Sequence, residues 1–286
     1  MKFLITGSSG FIGKRLLDKV DGGIPFDLSR TNEIETSDIT ILSNIMSASK
    51  NCDGIIHCAA VSRVTDCKDN PENCIDVNIN GTLNILHSAI KNNINWVGFL
   101  STGEVEWIEN DEVQSFKKIK NLYGLSKLTS EILIDVVGIK AGLKCTIFRI
   151  CCVVFGEGDN PKKVLPLFIR KSINGEDISI NDSVSEWDFM HAEDVANFIK
   201  KSAFENKENT GLVEDINISS GIRLDLLSLA KIIKYLSGSS SKINYENQLI
   251  KKVTNTEFDK IIMERKISKK FLNQVKELIN IESSRY

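Results

Sequence analysis

The chain has 286 residues, of which 42% are hydrophobic and 26% are charged, and its formal net charge is −2. This composition is typical of a globular protein, and the length allows one large α/β domain or a domain with a small lobe. The nearly balanced charge excludes a general attraction to nucleic acid or anionic membranes, and there is neither a run of about eighteen apolar residues nor a signal-peptide core. We therefore expect a cytoplasmic protein without nucleic-acid or membrane partners.

The seven cysteines contain no C-x-x-C pair. Four of them lie in apolar, strand-like segments, where a thiol packs as a small hydrophobic group. This pattern indicates reduced cysteines and no metal site. Cys67 and Cys74 leave a bridge or a metal site open as the alternative.

The first segment is an apolar run, Phe3 to Ile5, followed by glycines and then by apolar residues at helical spacing. This order predicts a buried strand, a tight turn and a helix. Gly7, Gly10 and Gly13 form G-x-x-G-x-x-G, whose first gap is wider than in the common dinucleotide fingerprint. Exposed backbone N–H groups at a helix N-terminus favour a phosphate, so the turn predicts a pyrophosphate site. A glycine turn that only packs is the alternative.

The second strand, Ile24 to Leu28, is followed by Ser29 and Arg30. At this position an acidic residue selects NAD, whereas an arginine accommodates the extra phosphate of NADP. Asp27 is a candidate acid, but Ser29 and Arg30 fit the usual distance from the preceding helix better. The sequence therefore favours NADP and leaves NAD open, with Arg30 as an ordinary loop charge being the bland alternative.

Apolar strands and amphipathic helices then alternate along the chain, and His57 within one strand is expected to be a hydrogen-bonded core residue. This alternation predicts an α/β fold, a Rossmann-like doubly wound parallel sheet with a small C-terminal substrate-binding lobe. We expect residues 1–156, joined by 189–218, to form the nucleotide-binding domain, and residues 157–188 and 219–286 to form the lobe. The expected strands are a short one ending at Asp38 and Ile39, then 53–60, 96–102 and 145–155, and the expected helices are 40–48, 78–91, 125–137, 195–204 and the tail from 225.

Tyr123 and Lys127 stand four residues apart in Y-G-L-S-K, within a segment of helical periodicity. Residues at this spacing share a helix face. A nearby ammonium favours the phenolate, so Lys127 is expected to lower the pKa of Tyr123 and to make it a general base for a hydroxyl. Such a pair also occurs by chance on helix surfaces, and its meaning depends on the glycine turn.

Taken together and in this order, the motifs resemble the extended short-chain dehydrogenases/reductases, in particular the NAD(P)-dependent epimerase/dehydratase family acting on nucleotide sugars. The resemblance covers nearly the whole chain. The segments that carry it are T-G-S-S-G-F-I-G, H-C-A-A, V-N-I-N-G-T, L-S-T, Y-G-L-S-K, F-R-I, F-G-E-G-D, W-D-F-M-H-A-E-D-V-A and N-I-S-S-G.

The resemblance implies a role for each matching residue. Thr102, Tyr123 and Lys127 become the catalytic residues, with Tyr123 as acid/base and Lys127 holding the nicotinamide ribose. The implied cofactor-binding residues are Gly7, Gly10, Phe11, Ile12, Gly13, Ser29, Arg30, Asp38, Ile39, Ala59, Ala60 and Asn78, together with Tyr123 and Lys127. The implied substrate-binding residues are Ser62, Arg63, Thr102, Glu104, Asn160, Lys163 and Trp187.

Three departures from the family pattern concern the substrate. The dehydratases have Asp and Glu after the threonine, whereas this chain has Gly103 and Glu104, which argues against dehydration. Trp187 occupies the position of an arginine that grips the diphosphate, so another cation such as Lys163, Arg170 or Lys251 would replace it, or the substrate is not a nucleotide diphosphate. An asparagine expected near Cys152 or Val153 is also missing.

We therefore expect NAD(P)-dependent oxidoreduction at a carbinol or keto carbon, C4 in the favoured case, of a nucleotide-activated sugar. The favoured activity is a sugar-nucleotide epimerase. The alternatives are a one-way NADPH-dependent keto-sugar nucleotide reductase and, from another class, a non-catalytic NAD(P)-binding sensor or scaffold. The resemblance also implies a homodimer through a four-helix bundle, against the alternative that the same helices only cover the sheet.

Overall fold

The computed structural model describes residues 1–28, 37–105, 121–181, 185–205, 213–246 and 248–285. Ser29 and Arg30 lie outside the described residues, and the contact of Arg30 with NADP stays a prediction. Among the described residues the chain divides into two compact units. The first unit comprises Met1–Cys151 and Val195–Ile218, and the second comprises Cys152–Asp194 and Ser219–Tyr286.

The first unit is built on a six-stranded parallel sheet with the strand order β2-β1-β3-β4-β5-β9. Its strands are mostly buried because they carry apolar runs, as the register of Leu4 beside Ile24 and Ile55 illustrates. The sheet confirms the predicted Rossmann-like α/β fold. The strands are β1 Phe3–Thr6, β2 Gly23–Phe26, β3 Gly54–His57, β4 Trp96–Thr102, β5 Lys144–Ile150 and β9 Val213–Ile218.

Helices follow the strands of this sheet, as a doubly wound fold requires. They are α1 Phe11–Lys19, α2 Leu42–Ala48, α3 Val64–Asp69, α4 Pro71–Ile75, α5 Gly81–Lys91 and α6 Leu122–Leu133. A π turn, Asp76–Asn80, joins α4 to α5, and another, Ile134–Gly138, extends α6 into a last turn at Ile139–Ala141. Helix α8, Ala192–Glu205, begins in the second unit and runs into the first.

The second unit contains two three-stranded sheets and a hydrophobic core of its own. Phe155, Phe189 and Ile232 are fully buried in that core. Its strands are β6 Val153–Phe155, β7 Ile178–Ile180, β8 Glu186–His191, β10 Arg223–Asp225, β11 Ile243–Tyr245 and β12 Gln248–Ile250, and its remaining helices are α7 Val164–Ile173, α9 Leu226–Ser237, α10 Asn255–Glu264 and α11 Lys269–Ser283.

The predicted strand over residues 145–155 is wrong in its extent, because the structure has two strands there. Cys151 donates its N–H to the Ile218 carbonyl at 2.9 Å, which is the last bond to β9. The chain then leaves the sheet, and β6 pairs with β8 instead. Both pieces are apolar, so periodicity alone does not reveal the break. The unit boundary consequently falls at 151/152 rather than at 156.

Residues Asp38 and Ile39 form a turn in place of the predicted strand end, and α2 begins at Leu42 rather than at residue 40. The Asp38 carboxylate accepts hydrogen bonds from the Thr40 N–H and hydroxyl at 2.8 and 2.7 Å, which favours a turn over a strand. In the described ranges, no helix combines the length and the apolar character needed to cross a bilayer.

Candidate active site

The glycine turn after β1 brings three backbone segments into close contact. Gly7 has φ of +65°, and a Cβ at this position would lie 2.7 Å from the Ala59 nitrogen. A Cβ on Gly13 would lie 2.1 Å from the Gly7 carbonyl oxygen. Since either side chain would collide with backbone, both positions require glycine. The segment that follows β3, at Cys58 and Ala59, therefore lies directly against the turn.

The turn offers the features that a dinucleotide pyrophosphate needs. Helix α1 begins after Gly10 with no acidic residue in its first turn and no side-chain cap, so its N-terminal N–H groups are suited to bind an anion. Phe11 and Ile12, which are half-buried, supply two of these N–H groups. Ser8 is fully buried, and its hydroxyl has no partner among the described residues. The residues present therefore fit the cofactor.

Asp27, the alternative acid at the end of the second strand, lies beside this turn. Strand β2 ends at Phe26, earlier than predicted, so Asp27 is the first residue after it. Its Oδ2 accepts a hydrogen bond from the Ser9 N–H at 3.1 Å. The carboxylate is thus at the end of the second strand, where an acidic residue binds the adenosine ribose.

Ile39 was predicted to flank the adenine together with Asp38. The Ile39 side chain is buried in the core of the first unit, where it contacts Gly81, and only 5% of its surface is exposed. Its carbonyl accepts a hydrogen bond from Asn84 at 3.1 Å. Of the two residues, Asp38 is the one with a partly exposed side chain.

Tyr123 lies in the first turn of α6 and is half-buried. The helix is capped by Asn121, whose Oδ1 accepts from the Gly124 N–H at 2.7 Å and whose Nδ2 donates to Glu104 Oε2 at 2.8 Å. This cap fixes Glu104 and the start of the helix together. It also explains how Tyr123 comes to lie beside the Thr102 and Glu104 side chains.

The expectation that Lys127 lowers the pKa of Tyr123 is wrong for this structure. Burial raises the pKa of Tyr123 well above its ordinary value, and the Glu104 carboxylate raises it further, while the Thr102 side chain acts in the opposite direction. Lys127 is not among the groups that shift it. The Lys127 ammonium lies 4.0 Å from the centre of the Phe99 ring, where it makes a cation–π contact.

Lys127 is buried, with 3% of its surface exposed. Burial lowers its pKa to about 8, and the charge of Glu131 acts against this shift. At neutral pH the side chain is therefore mostly charged, but it is close to its titration point.

His57 is a hydrogen-bonded core residue, as the sequence predicted. Its Nδ1 lies 2.8 Å from the Thr6 hydroxyl and its Nε2 lies 3.1 Å from the Thr82 hydroxyl. Because Thr82 donates its own proton to the Asn78 carbonyl at 2.6 Å, it accepts from Nε2–H, and Nδ1 accepts from Thr6. Burial, followed by the charge of Lys127, lowers the pKa of His57 to about 3, so the ring is neutral.

Asn78 lies in the π turn Asp76–Asn80, which the sequence analysis missed. Its Oδ1 accepts from the Val61 N–H at 2.8 Å, and its Nδ2 donates to the Val61 carbonyl at 3.1 Å and to the Ser126 hydroxyl at 2.8 Å. Ser126 in turn donates to the Tyr123 carbonyl at 2.8 Å. Asn78 is 2% exposed and its side-chain amide is fully used, so it positions these segments, and the structure does not support the predicted direct cofactor contact.

The sequence analysis also missed a buried ion pair between Glu131, one helical turn after Lys127, and Arg149. Arg149 donates from Nε and Nη2 to Glu131 Oε2 at 3.1 and 2.6 Å, and Ser101 donates to Glu131 Oε1. Arg149 also lies 3.1 Å from the Asp215 carboxylate. Two sequence signals could have revealed the pair, namely the Lys127–Glu131 spacing of four and an arginine inside an apolar strand.

Among the predicted substrate residues of the first unit, the structure brings Thr102 and Glu104 together with Tyr123. The Glu104 N–H donates to the Thr102 hydroxyl at 3.3 Å, within the turn that follows β4. Ser62 and Arg63 are exposed at the start of α3, and Arg63 lies 4.0 Å from Asp66.

The other predicted substrate residues belong to the second unit. Lys163 lies 2.8 Å from the Asp159 carboxylate and donates to the Val154 carbonyl at 3.4 Å, so its charge is already compensated, which disfavours it as the diphosphate cation. The Asn160 Oδ1 accepts from the Lys162 N–H at 2.9 Å. Trp187 on β8 pairs with Leu224 and is 41% exposed. Their contacts with a substrate stay predictions.

A hollow of about 700 Å³ lies in the first unit at the opposite, amino-terminal edge of the sheet. Phe3, Trp96 and Lys144 are among the residues that line it. None of the predicted site residues contributes to it. Its size therefore says nothing about the chemistry, which depends on the buried polar groups at the carboxyl ends of the strands.

Comparisons with known proteins agree with this arrangement. A model of the NAD dependent epimerase/dehydratase family matches residues 3–219. A putative UDP-glucose 4-epimerase from Methanocaldococcus jannaschii is 28% identical over 279 residues, which is 85% of each chain. A UDP-N-acetyl-alpha-D-glucosaminuronate decarboxylase from Bacillus cytotoxicus is 30% identical over 84% of this chain and 81% of its own. The crystal structure of Thermus thermophilus UDP-glucose 4-epimerase with NAD superimposes with a TM-score of 0.73 at 20% identity, covering 98% of each chain.

Proposed function

Because the chain belongs to the NAD dependent epimerase/dehydratase family, we propose that it is an epimerase that inverts C4 of a nucleotide-activated sugar. Membership confirms the resemblance to the extended short-chain dehydrogenases/reductases, and with it an enzyme that uses a nicotinamide dinucleotide. The relatives named for UDP-sugars support a uridine diphosphate sugar as substrate.

The observation that carries the proposal is the placement of Tyr123 beside Thr102, with the buried Lys127 one helical turn further on. Gly7, Gly10 and Gly13 would hold the cofactor phosphates, and Lys127 would hold the nicotinamide ribose. The bound nicotinamide supplies a hydride acceptor and donor. Thr102 orients the sugar hydroxyl, and Tyr123 takes the hydroxyl proton and later returns it. Because the Tyr123 pKa is raised, its resting form is the phenol, so Tyr123 must first lose its proton to solvent before the phenolate can take the hydroxyl proton. The phenol formed in that step is the form that returns the proton.

The geometry at Gly103 supports epimerisation over dehydration. A Cβ at this position would lie 3.0 Å from the Cys151 Cα and 3.1 Å from its sulfur. An aspartate, which the dehydratases carry here, would require the Cys151 backbone to move. Glu104 is thus the one member of that acid pair in this chain.

The test is incubation of the purified chain and NAD with UDP-glucose, UDP-galactose and their N-acetylated forms, followed by NMR of the sugar. We expect interconversion of the C4 epimers with no net change in NADH absorbance, and none with a Tyr123→Phe variant. Stoichiometric consumption of NADPH with a keto-sugar nucleotide would instead establish the reductase alternative. Cofactor binding without turnover of any of these compounds would support the sensor or scaffold.

For the cofactor we propose NAD rather than NADP. The Asp27 carboxylate beside the glycine turn supports this choice, since it would accept hydrogen bonds from a ribose hydroxyl and repel a 2′-phosphate. We expect NADH to bind at least about tenfold more tightly than NADPH. The Asp27→Asn variant should reduce this ratio, and a preference for NADPH in the unmodified chain would refute the proposal.

We also propose a homodimer through a four-helix bundle. On α6 and its extension, Ile132, Val136 and Ile139 are 49%, 63% and 50% exposed and follow helical spacing, which is the pattern of an apolar face that packs against another helix. Light scattering should give twice the chain mass of 31.9 kDa. A Val136→Glu variant should give the monomer mass, and a monomer in the unmodified chain would contradict the proposal.

A further inference from the structure

We propose that Glu131 is a positioning residue whose fixed negative charge keeps the Lys127 ammonium protonated for the cofactor. The effect of the Glu131 charge on the protonation of Lys127 does not depend on the cofactor or the substrate. Only its consequence for cofactor binding rests on the proposed function. The sequence motifs assign no role to Glu131.

The ion pair holds Glu131 as a carboxylate. Its exposed fraction is 2%, and both oxygens accept hydrogen bonds from charged or polar groups. Arg149 contributes Nε and Nη2, and Ser101 contributes its hydroxyl. A guanidinium does not lose its proton in a protein, and a bidentate contact with it favours the ionised form of the carboxyl group. Burial raises the pKa of Glu131, while Arg149 and Ser101 oppose this shift.

Glu131 lies one helical turn beyond Lys127 on the same face of α6. Two neighbours of the ammonium from the β3 side are neutral at pH 7. The His57 ring is neutral, and burial raises the pKa of the Cys58 thiol to about 12. The groups that face the ammonium are His57 and Cys58, from β3 and the residue after it, Cys74 from α4 and the Phe99 ring from β4. Tyr123 stands one turn earlier on α6.

Burial drives the Lys127 pKa down to about 8 even with Glu131 in place. The charge of Glu131 is the largest of the influences that raise it. If that charge is removed, the ammonium loses its proton at a lower pH, and a growing fraction of Lys127 is neutral near pH 7. A neutral amine has one donor fewer and no charge to offer to the ribose of the cofactor.

The Glu131→Gln variant tests this inference because it keeps the shape and removes the charge. We would label lysine at Cε with ¹³C and follow the titration of Lys127 by NMR in the cofactor-free chain, with a Lys127→Arg variant assigning the signal. We expect the midpoint to fall by at least about one pH unit, which means at least a tenfold rise in the ratio of neutral to charged Lys127 at a given pH. The affinity for NADH, measured against pH by fluorescence, should then be lost at a correspondingly lower pH.

Two variants separate this charge effect from a structural one. Glu131→Asp retains the carboxylate and should keep the midpoint near that of the unmodified chain. Asp215→Asn removes the other carboxylate that contacts Arg149. The Asp215 carboxylate is not among the groups that shift the Lys127 pKa, so this variant should leave the Lys127 midpoint unchanged. If Glu131→Gln does not fold, the double variant Glu131→Gln with Arg149→Met removes both buried charges, and protein cores tolerate such a paired replacement. This double variant should still lower the Lys127 midpoint.

An unchanged Lys127 midpoint in a folded variant without the Glu131 charge would overturn the inference, whatever happens to turnover. The NMR titration requires neither sugar nor cofactor. A chain that shows the shift but epimerises none of the tested sugars would therefore refute the proposed function and leave the role of Glu131 standing.

Discussion

The two ends of the six-stranded sheet differ sharply in what they bury. At the carboxyl ends of the strands lie polar groups with defined partners, such as His57, Ser101 and Lys127. At the amino ends, Phe3 packs edge to face against Trp96 and Phe204, with ring centres 6.2 and 5.3 Å apart. The hollow of about 700 Å³ is at this second, aromatic end.

The difference shows that a cluster of buried polar groups is a better indicator of an active site than the volume of a hollow. A buried polar or charged group reduces stability unless its hydrogen bonds are satisfied, so a fold retains several of them together only where they serve a purpose. An aromatic end needs no such explanation because apolar burial stabilises the sheet directly. Changes at the carboxyl end should therefore alter activity, and changes at the amino end should alter stability.

The largest effect is expected for Tyr123→Phe, at the carboxyl end. Loss of the phenol hydroxyl removes the proton donor and acceptor, and we expect kcat to fall by about a thousandfold or more. The dissociation constant of NADH and the urea midpoint should stay close to those of the unmodified chain. Turnover within tenfold of normal would show that Tyr123 is not the acid/base.

At the amino end, Phe3→Ala should have the opposite profile. Phe3 is 2% exposed, and its replacement leaves a cavity beside Trp96 and Phe204. We expect the free energy of unfolding to fall by about 3 kcal/mol with kcat unchanged. Urea unfolding and an activity assay on the same preparation check both parts. A loss of kcat at full stability would break the distinction between the two ends.

The smallest effect concerns His57 and pH. Because its folded pKa is about 3 and its ordinary value is 6.5, the unfolded chain binds a proton below pH 6.5 that the folded chain refuses. The stabilisation is complete above pH 6.5 and is lost as the pH falls toward 3. Between pH 6.5 and 5.5 this site should reduce the free energy of unfolding by about 1 kcal/mol.

The His57→Gln variant should lack that part of the acid destabilisation, as urea titrations at the two pH values would show. His87 is exposed and supplies the matched control, since His87→Gln should retain the full pH dependence. Equal slopes for His57→Gln and the unmodified chain would indicate that His57 takes up a proton in the folded state.

Much of the carboxyl end was predictable because local patterns determine it. Strand β4, Trp96–Thr102, has the predicted bounds, and Tyr123 and Lys127 share a helix as their spacing requires. The relation between these two side chains was not predictable, because it depends on how far each is buried and on Phe99, which is distant in sequence. The pairing of Glu131 with Arg149 was not predictable either, because Arg149 lies on strand β5 and reaches α6 only in the folded structure.

The errors occurred where the chain breaks a regular pattern. The apolar run 145–155 gave no sign of the break after Cys151, because both of its pieces are buried in hydrophobic surroundings. The predicted second strand, 24–28, runs two residues past the observed end of β2 at Phe26, and strand ends are where periodicity carries least information.

The π turn Asp76–Asn80 has a consequence for how the chain tolerates change in length. A π turn amounts to one extra residue within a continuous helix. Deleting a single residue there would yield an unbroken α-helix that still buries Leu86. The deletion would also move the Asn78 carbonyl away from the hydroxyls of Thr82 and Ser130, which donate to it at 2.6 and 2.8 Å. Such a shortened chain would keep its fold and lose the hydrogen bond from Ser130 that ties the π turn to the helix bearing Tyr123.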